Sequence, residues 1–373
     1  MTEARPRRPR IADVAQVAGV SKASVSFAFN SPERLKAETA HRIRSVAAEM
    51  GYRPHPVARM LSARRTMTIG VLTPQPLSQV FANPFFAYFT EGVSAVTEEH
   101  GYGLLLISPL RGSLARALDH ATVDGVVALG LEETHPEIEA IRRADLPMVL
   151  VDAPAWPEHA AVEVDDEEGA GAAAQHLVDL GHRRILVIAV EGPVAGEGVA
   201  ATGEGSTAMP DGQQDGVMAR RLRGYESVLA ERGIHLGPES VVIAPASFEG
   251  GEAAFLRAWE DGLRPTAVLA MSDAIAIGVL QSSRHLRLRV PRDLSIVGFD
   301  DLPVGRFSDP PLTTVHQPVR RKGEEAARLL LEELEAKPGS PAQHRVLKTR
   351  LVVRRSTAVP PDTVGDEEVA LPG

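Results

Sequence analysis

From Met67 onward the chain repeats one unit: a short apolar run followed by a stretch with the spacing of an amphipathic helix. The runs TIGVL, YGLLLI, GVVAL, PMVLVD, RILVIAV, SVVIA, TAVLAM and LSIVGFD read as buried strands, separated by segments such as FFAYFTEGVSAVTEEHG and EGAGAAAQHLVDLGH. Hydrophobicity that is continuous along a strand means that both of its faces are covered. Strand–helix alternation then implies parallel sheets in an open α/β fold. At 373 residues the chain exceeds what one core usually holds, so two or three domains are expected. Two such sheets need two lobes, and the cleft between lobes is the natural place for a small ligand.

The first 66 residues differ in kind. They carry 13 Lys and Arg against 5 Asp and Glu, a charge of +8, which leaves 27 against 44, or −17, for the rest of a chain of net charge −9. A basic head on an acidic body points to a polyanion partner for the head alone. Val14, Ala15 and Ala18 recur at helical spacing before Gly19, which can turn without steric cost. Ser21 is placed to cap a second helix, on which Val25, Ala28 and Phe29 share one stripe. Two helices joined by so short a turn form a helix-turn-helix, whose second helix enters the DNA major groove. A third helical pattern runs from about Ala37 to Met50 and closes at Gly51. Phe27 lies about 200° around the second helix from Val25 and so points away from the core. Its ring can lie against a thymine methyl group, or it can pack on a neighbouring helix and read nothing.

Composition narrows the chemistry. Cysteine is absent, which removes disulfides, thiolate metal sites and cysteine nucleophiles, and the twelve histidines form no metal-binding spacing. No apolar run is long enough to span a membrane, and MTEARPRRPR lacks the apolar centre of a signal peptide, so a cytoplasmic protein is expected. GEGVAA, Gly196 to Ala201, mimics a dinucleotide fingerprint, but its glycines begin late and no helix opens from them. P-loop, nucleophile-elbow and zinc-protease motifs are missing, so neither cofactor nor metal is expected. Asp152, Asp165 and Asp300 are conceivable bases, but none has an acid or nucleophile at an interpretable spacing. A sugar-binding or sugar-processing enzyme with an incidental basic head is therefore the alternative reading.

The head segments DVAQVAGVSKASVSFAFN, RIRSVAAEMGYRPHPVARML and RTMTIGVL resemble the DNA-binding region of the LacI/GalR family of bacterial repressors. In the body, NPFF, VDDEEGAGAAAQHLVDLGHRRI, RLRGYESVLAERGI, VPRDLSIVGFDD, PPLTTVHQP and LVVRRSTA resemble successive family landmarks in order. The resemblance implies an all-α helix-turn-helix domain over 1–54, a hinge helix and linker over 55–67, and a two-lobed periplasmic-binding-protein-like α/β domain with parallel sheets over 68–358. An acidic tail follows over 359–373. Three crossings near Asp165, Pro318 and residue 340 would join the lobes.

The same resemblance implies that Lys22, Ala23 and Phe27 read bases, with Ser21, Ser24 and Asn30 nearer phosphates. Leu61 of the hinge would wedge into the minor groove, Ala58 would let paired hinge helices approach, and Arg59 would contact phosphate. Phe85 and Asp152 from one lobe, with Arg221, Phe248, Ser272 and Asp300 from the other, would hold the effector: aromatic faces cover an apolar ring face while Asp and Arg satisfy hydroxyls. The implied function is a ligand-controlled transcriptional regulator, a repressor that binds a palindromic operator as a homodimer under a small-molecule effector such as a sugar. The tail shows no leucine heptads that could join dimers into a tetramer. Two departures from the family pattern stand out. Phe27 occupies a place where the family usually has a hydrogen-bonding residue, and Ala153 follows Asp152 where an arginine is common. The Gly-, Ala- and Ser-rich segment over 191–217 is longer than the family norm, which predicts a mobile loop near the cleft mouth, able to gate it or to do nothing.

Overall fold

The structure is a computed structural model that describes residues 9–53, 65–153, 156, 158–191, 216–337 and 339–361. It divides into two units, Met1–Met67 and Thr68–Gly373.

The first unit packs three helices: α1 (Ile11–Ala18), α2 (Lys22–Asn30) and α3 (Ala37–Glu49). Gly19 closes α1 at φ 64°, a left-handed conformation that glycine adopts without penalty. Ser21 caps α2 by accepting from the Ser24 backbone N–H at 3.0 Å. Val14, Val25, Ala28, Ile43 and Ala47 form the core, to which Phe29 and Tyr52 add their rings at 6.0 Å. This is the expected two-helix turn with its supporting third helix.

The second unit holds two six-stranded sheets. The first lobe comprises β1 (Thr68–Leu72), α4 (Leu77–Ala82), α5 (Pro84–Glu99), β2 (Gly103–Ile107), α6 (Leu114–His120), β3 (Gly125–Leu129), α7 (Ile138–Arg142), β4 (Met148–Val151) and β5 (Ala160–Val164). The second comprises α8 (Asp166–Asp179), β6 (Ile185–Val190), α9 (Val217–Glu231), β7 (Val241–Ala244), α10 (Phe248–Glu260), β8 (Ala267–Ala270), α11 (Asp273–His285), β9 (Ser295–Asp300), α12 (Pro303–Phe307) and β10 (Thr313–His316). The chain then returns to the first lobe as α13 (Val319–Glu335) and β11 (His344–Leu347) before β12 (Arg350–Val352) joins the second sheet. The strand orders are β11-β5-β4-β3-β1-β2 and β12-β10-β9-β8-β6-β7, parallel throughout except for β12 against β10. All eight apolar runs are strands, and most are buried on both faces.

Two of the three crossings fall where expected, at Asp165 and at Gln317–Pro318. The third does not lie near residue 340. Residues 344–347 first pair in parallel with β5, so the chain passes between lobes only at Lys348 and Thr349.

Helices cross very closely in this unit. A Cβ on Gly92 of α5 would fall 1.9 Å from the Arg320 carbonyl oxygen, and one on Gly323 of α13 would fall 2.2 Å from that of Phe89. Gly251 of α10 and Gly278 of α11 show the same reciprocal contact, at 2.2 Å from the Ile275 and 2.1 Å from the Phe248 carbonyl oxygen.

Candidate functional site

Open parallel sheets place their ligands beyond the carboxyl ends of the strands. A cavity of about 400 Å³ lies there, lined from both lobes. Four helices begin at its wall with their N-caps in it, α9 at Gly216 and three others at side-chain caps: Asn83 accepts from the Phe85 N–H at 3.0 Å, Ser247 from Gly250 at 2.9 Å and Ser272 from Ile275 at 3.2 Å. Two lining carboxylates sit at strained strand ends, Asp152 after β4 at φ 56° and Asp300 ending β9 at φ 125°. Left-handed backbone is costly for residues with a Cβ and tends to gather at functional sites.

Of the six effector residues expected from the sequence, Phe85, Asp152, Arg221, Ser272 and Asp300 line this cavity. Phe248 does not. It is the first residue of α10, and the chain just before it, Pro245 to Ser247, forms the wall instead. Arg221 is buried rather than on a solvated helix face: its Nε donates to Asp166 at 2.8 Å, Nη1 donates to the Met271 carbonyl, and the guanidinium lies 3.5 Å over the Phe299 ring. Burial works against both partners, but attraction wins: Arg221 is raised by Asp166 and Asp300, and Asp166 is lowered by Arg221 and Arg220.

The residue that organises the cavity floor is Lys322, which sequence reasoning missed. Fully buried on α13, its ammonium donates to both Asp152 oxygens at 2.7 and 2.8 Å and to Gln317 Oε1 at 2.5 Å, and it sits 5.3 Å from the Phe85 ring centre. Because lysine only donates, Gln317 must turn its oxygen to Lys322 and its amide to Asp300, whose Oδ1 accepts at 2.5 Å. One hydrogen-bonded chain, Asp152–Lys322–Gln317–Asp300, thus joins the lobes through the middle crossing. Behind it, Asp300 Oδ2 accepts from the Asp273 N–H at 3.4 Å, while Asp273 accepts from Thr314 Oγ1 at 2.5 Å and from the Leu302 N–H at 2.7 Å. Burial pushes the Asp300 carboxyl up to about 6 against the pull of Arg221, and burial together with the Asp300 charge raises Asp273 well above the usual range. The neighbouring Asp301 is spent on Arg354, Arg306 and His316.

Electrostatically, Lys322 offsets Asp152 and Asp166 offsets Arg221. Arg221 and Lys322 also draw on Asp300, so among the described lining residues four carboxylates, Glu132, Asp152, Glu191 and Asp300, stand against the single Arg221. Burial raises Glu132. Such a wall accepts hydrogen bonds and repels anions. Among the described residues no group of His, Asp and Glu could hold a metal ion, and no helix is long and apolar enough to cross a membrane.

On the first unit, Ser21, Lys22 and Ala23 are exposed at the start of α2, and Ser24 and Phe27 are half-buried. The Ser21 and Ser24 hydroxyls lie 2.9 Å apart, and Asn30 turns its amide to Ser26 Oγ at 3.3 Å. The expected hinge residues Ala58, Arg59 and Leu61 lie outside the described residues, as do 192–215 of the long segment and 362–373 of the tail.

Comparison with known proteins agrees with both halves. Residues 10–55 match the family of bacterial regulatory proteins, lacI family, and residues 174–357 match a periplasmic binding protein-like domain. The HTH-type transcriptional regulator CelR of Thermobifida fusca is 31% identical over 360 residues, 94% of this chain and 99% of the relative. The ribose operon repressor of Haemophilus influenzae is 32% identical over 355 residues, 92% and 97% of the two chains. Among solved structures, a transcriptional regulator CelR–cellobiose complex superposes with a TM-score of 0.66 at 29% identity, over 94% of this chain and 100% of that one. The Lac repressor dimer bound to operator and an anti-inducer shares the fold, with a TM-score of 0.75 at 23% identity over the same shares.

Proposed function

This chain belongs to the lacI family of bacterial regulatory proteins, and from that premise we propose that it is a cytoplasmic homodimeric repressor whose hold on a palindromic operator is set by an uncharged sugar in the interlobe cavity. Residues 1–54 of each subunit read a half-site through Ser21, Lys22, Ala23, Ser24, Phe27 and Asn30. In residues 55–67 Leu61 wedges into the minor groove, Ala58 lets the paired hinge helices approach and Arg59 contacts phosphate. The body, 68–358, binds the effector through Phe85, Asp152, Arg221, Ser272 and Asp300 and turns nothing over, and 359–373 is an acidic tail without an oligomerising role.

One observation carries the effector half of this reading: the Asp152–Lys322–Gln317–Asp300 chain runs between the lobes along the cavity floor. A ligand that meets both carboxylates meets both lobes at once and favours one arrangement of them. Operator and effector are then coupled reciprocally, each altering the other's affinity by the same factor. The acceptor-rich wall suits hydroxyl donors, and the two named relatives make cellobiose and ribose the first sugars to try.

Fluorescence anisotropy on DNA from upstream of the chain's own gene, beside a scrambled control and across a salt series, tests the proposal. Specific binding with a steep salt slope, shifted by cellobiose or ribose but not by glucose 6-phosphate, is the expected result. Equal, weak binding to both DNAs with every sugar present counts against it.

A further inference from the structure

We infer that Phe27 reads the C5-methyl group of a pyrimidine at one fixed position in each half-site, and that Arg34 is the positioning residue that holds its ring in place. The inference rests on the proposed DNA-binding function and specifies what the second helix recognises.

Of the two phenylalanines on α2, Phe29 belongs to the core, against Tyr52. Phe27 is no member of that core, although it is half-buried. A cation stands over it: the Arg34 guanidinium carbon lies 5.3 Å from the ring centre. The backbone brings the two together. Ser31 N–H donates to the Phe27 carbonyl at 2.9 Å, Arg34 N–H donates to Ser31 at 3.0 Å, and Leu35 beyond the turn is anchored against the core. One side of the ring thus faces an exposed arginine whose backbone is fixed by its own turn.

The surroundings of the ring favour a flat apolar partner. Side chains on a helix lean toward its N-terminus, so Phe27 reaches over position 23, where alanine leaves it unscreened. Ser24 and Ser26 are short as well, so neighbouring side chains on α2 leave the uncovered part of the ring open to a groove floor. A phenylalanine offers no hydrogen bond to a base edge. The apolar group that the major groove presents is the thymine methyl, which 5-methylcytosine also carries.

Selection of random duplexes by the full-length dimer yields a half-site, after which each thymine is replaced by deoxyuridine, removing only the methyl group. One position is expected to lose about fourfold in affinity per half-site, and about fifteenfold when both half-sites are changed. Phe27→Ala should bind thymine and uracil duplexes equally, while Phe27→Leu keeps part of the preference. Arg34→Ala should narrow the thymine-to-uracil ratio with no change in thermal midpoint, a readout that a merely structural arginine would not move. A half-site without thymine, equal binding of every uracil duplex, or a ratio that survives Phe27→Ala each overturns the inference and leaves DNA binding intact. Failure to enrich any sequence overturns the proposed function with it.

Discussion

A lysine with no exposed surface is tolerable only where acceptors replace its water, and Lys322 has three, from Asp152 and Gln317. Lys322→Met keeps the length and removes the charge, stranding Asp152 and the Gln317 oxygen. It should lower stability by about 3 kcal/mol, read from the urea midpoint; a variant as stable as the parent would mean that water replaces the ammonium. Asp300 acts in the opposite sense to most carboxylates. With its folded value at about 6, above the ordinary 3.8, its contribution to stability is complete below the ordinary value and is lost as pH rises through 6. Between pH 5 and 7 the protein should lose about 1 kcal/mol from this group, and Asp300→Asn should not show that fall. Identical slopes in urea titrations of the two proteins would remove Asp300 as the cause.

At the level of elements, the reciprocal glycine contacts set how near the helices lie. Gly323→Ala must part α13 from α5, because the new methyl would meet the Phe89 carbonyl oxygen at 2.2 Å, and backbone cannot swing aside as a side chain does. A cost of about 2 kcal/mol is expected by chemical denaturation, whereas Gly101→Ala, with open space around it but φ 75°, should cost only its backbone strain. The strands were legible in the sequence because burial on both faces writes an unbroken apolar run, and Ser21 was legible as a cap because capping is local. Lys322 was not, since nothing beside it names a partner 170 residues away. Its one signal was a lysine on the buried stripe with Val319, Gly323 and Ala326. Arg221 lines the cavity as expected, but the buried Asp166 that neutralises it was not foreseen, and Phe248 is not in the wall because Pro245 to Ser247, just ahead of α10, form it there.

Across the whole molecule the charge is divided, +8 on the first 66 residues and −17 on the rest. An acidic body repels the phosphate backbone, so operator affinity should fall steeply with salt while the proposed binding of a neutral effector barely responds. Sedimentation equilibrium is expected to give a dimer at micromolar concentration, and a result of only tetramer would overturn the proposed homodimer. The buried chain of Asp152, Lys322, Gln317 and Asp300 also bears on redesign. An engineer wanting a sensor for an acidic metabolite gains little from an arginine at the rim, because the acceptors below it stay. Replacing Asp152 alone strands the ammonium, and replacing Lys322 alone strands the carboxylate, so the conversion needs paired changes, at Asp152 after β4 and at Lys322 on α13. Retuning among the neutral sugars proposed as effectors needs none of this, and single substitutions at the cavity wall are where variants of this protein should find new ligands soonest.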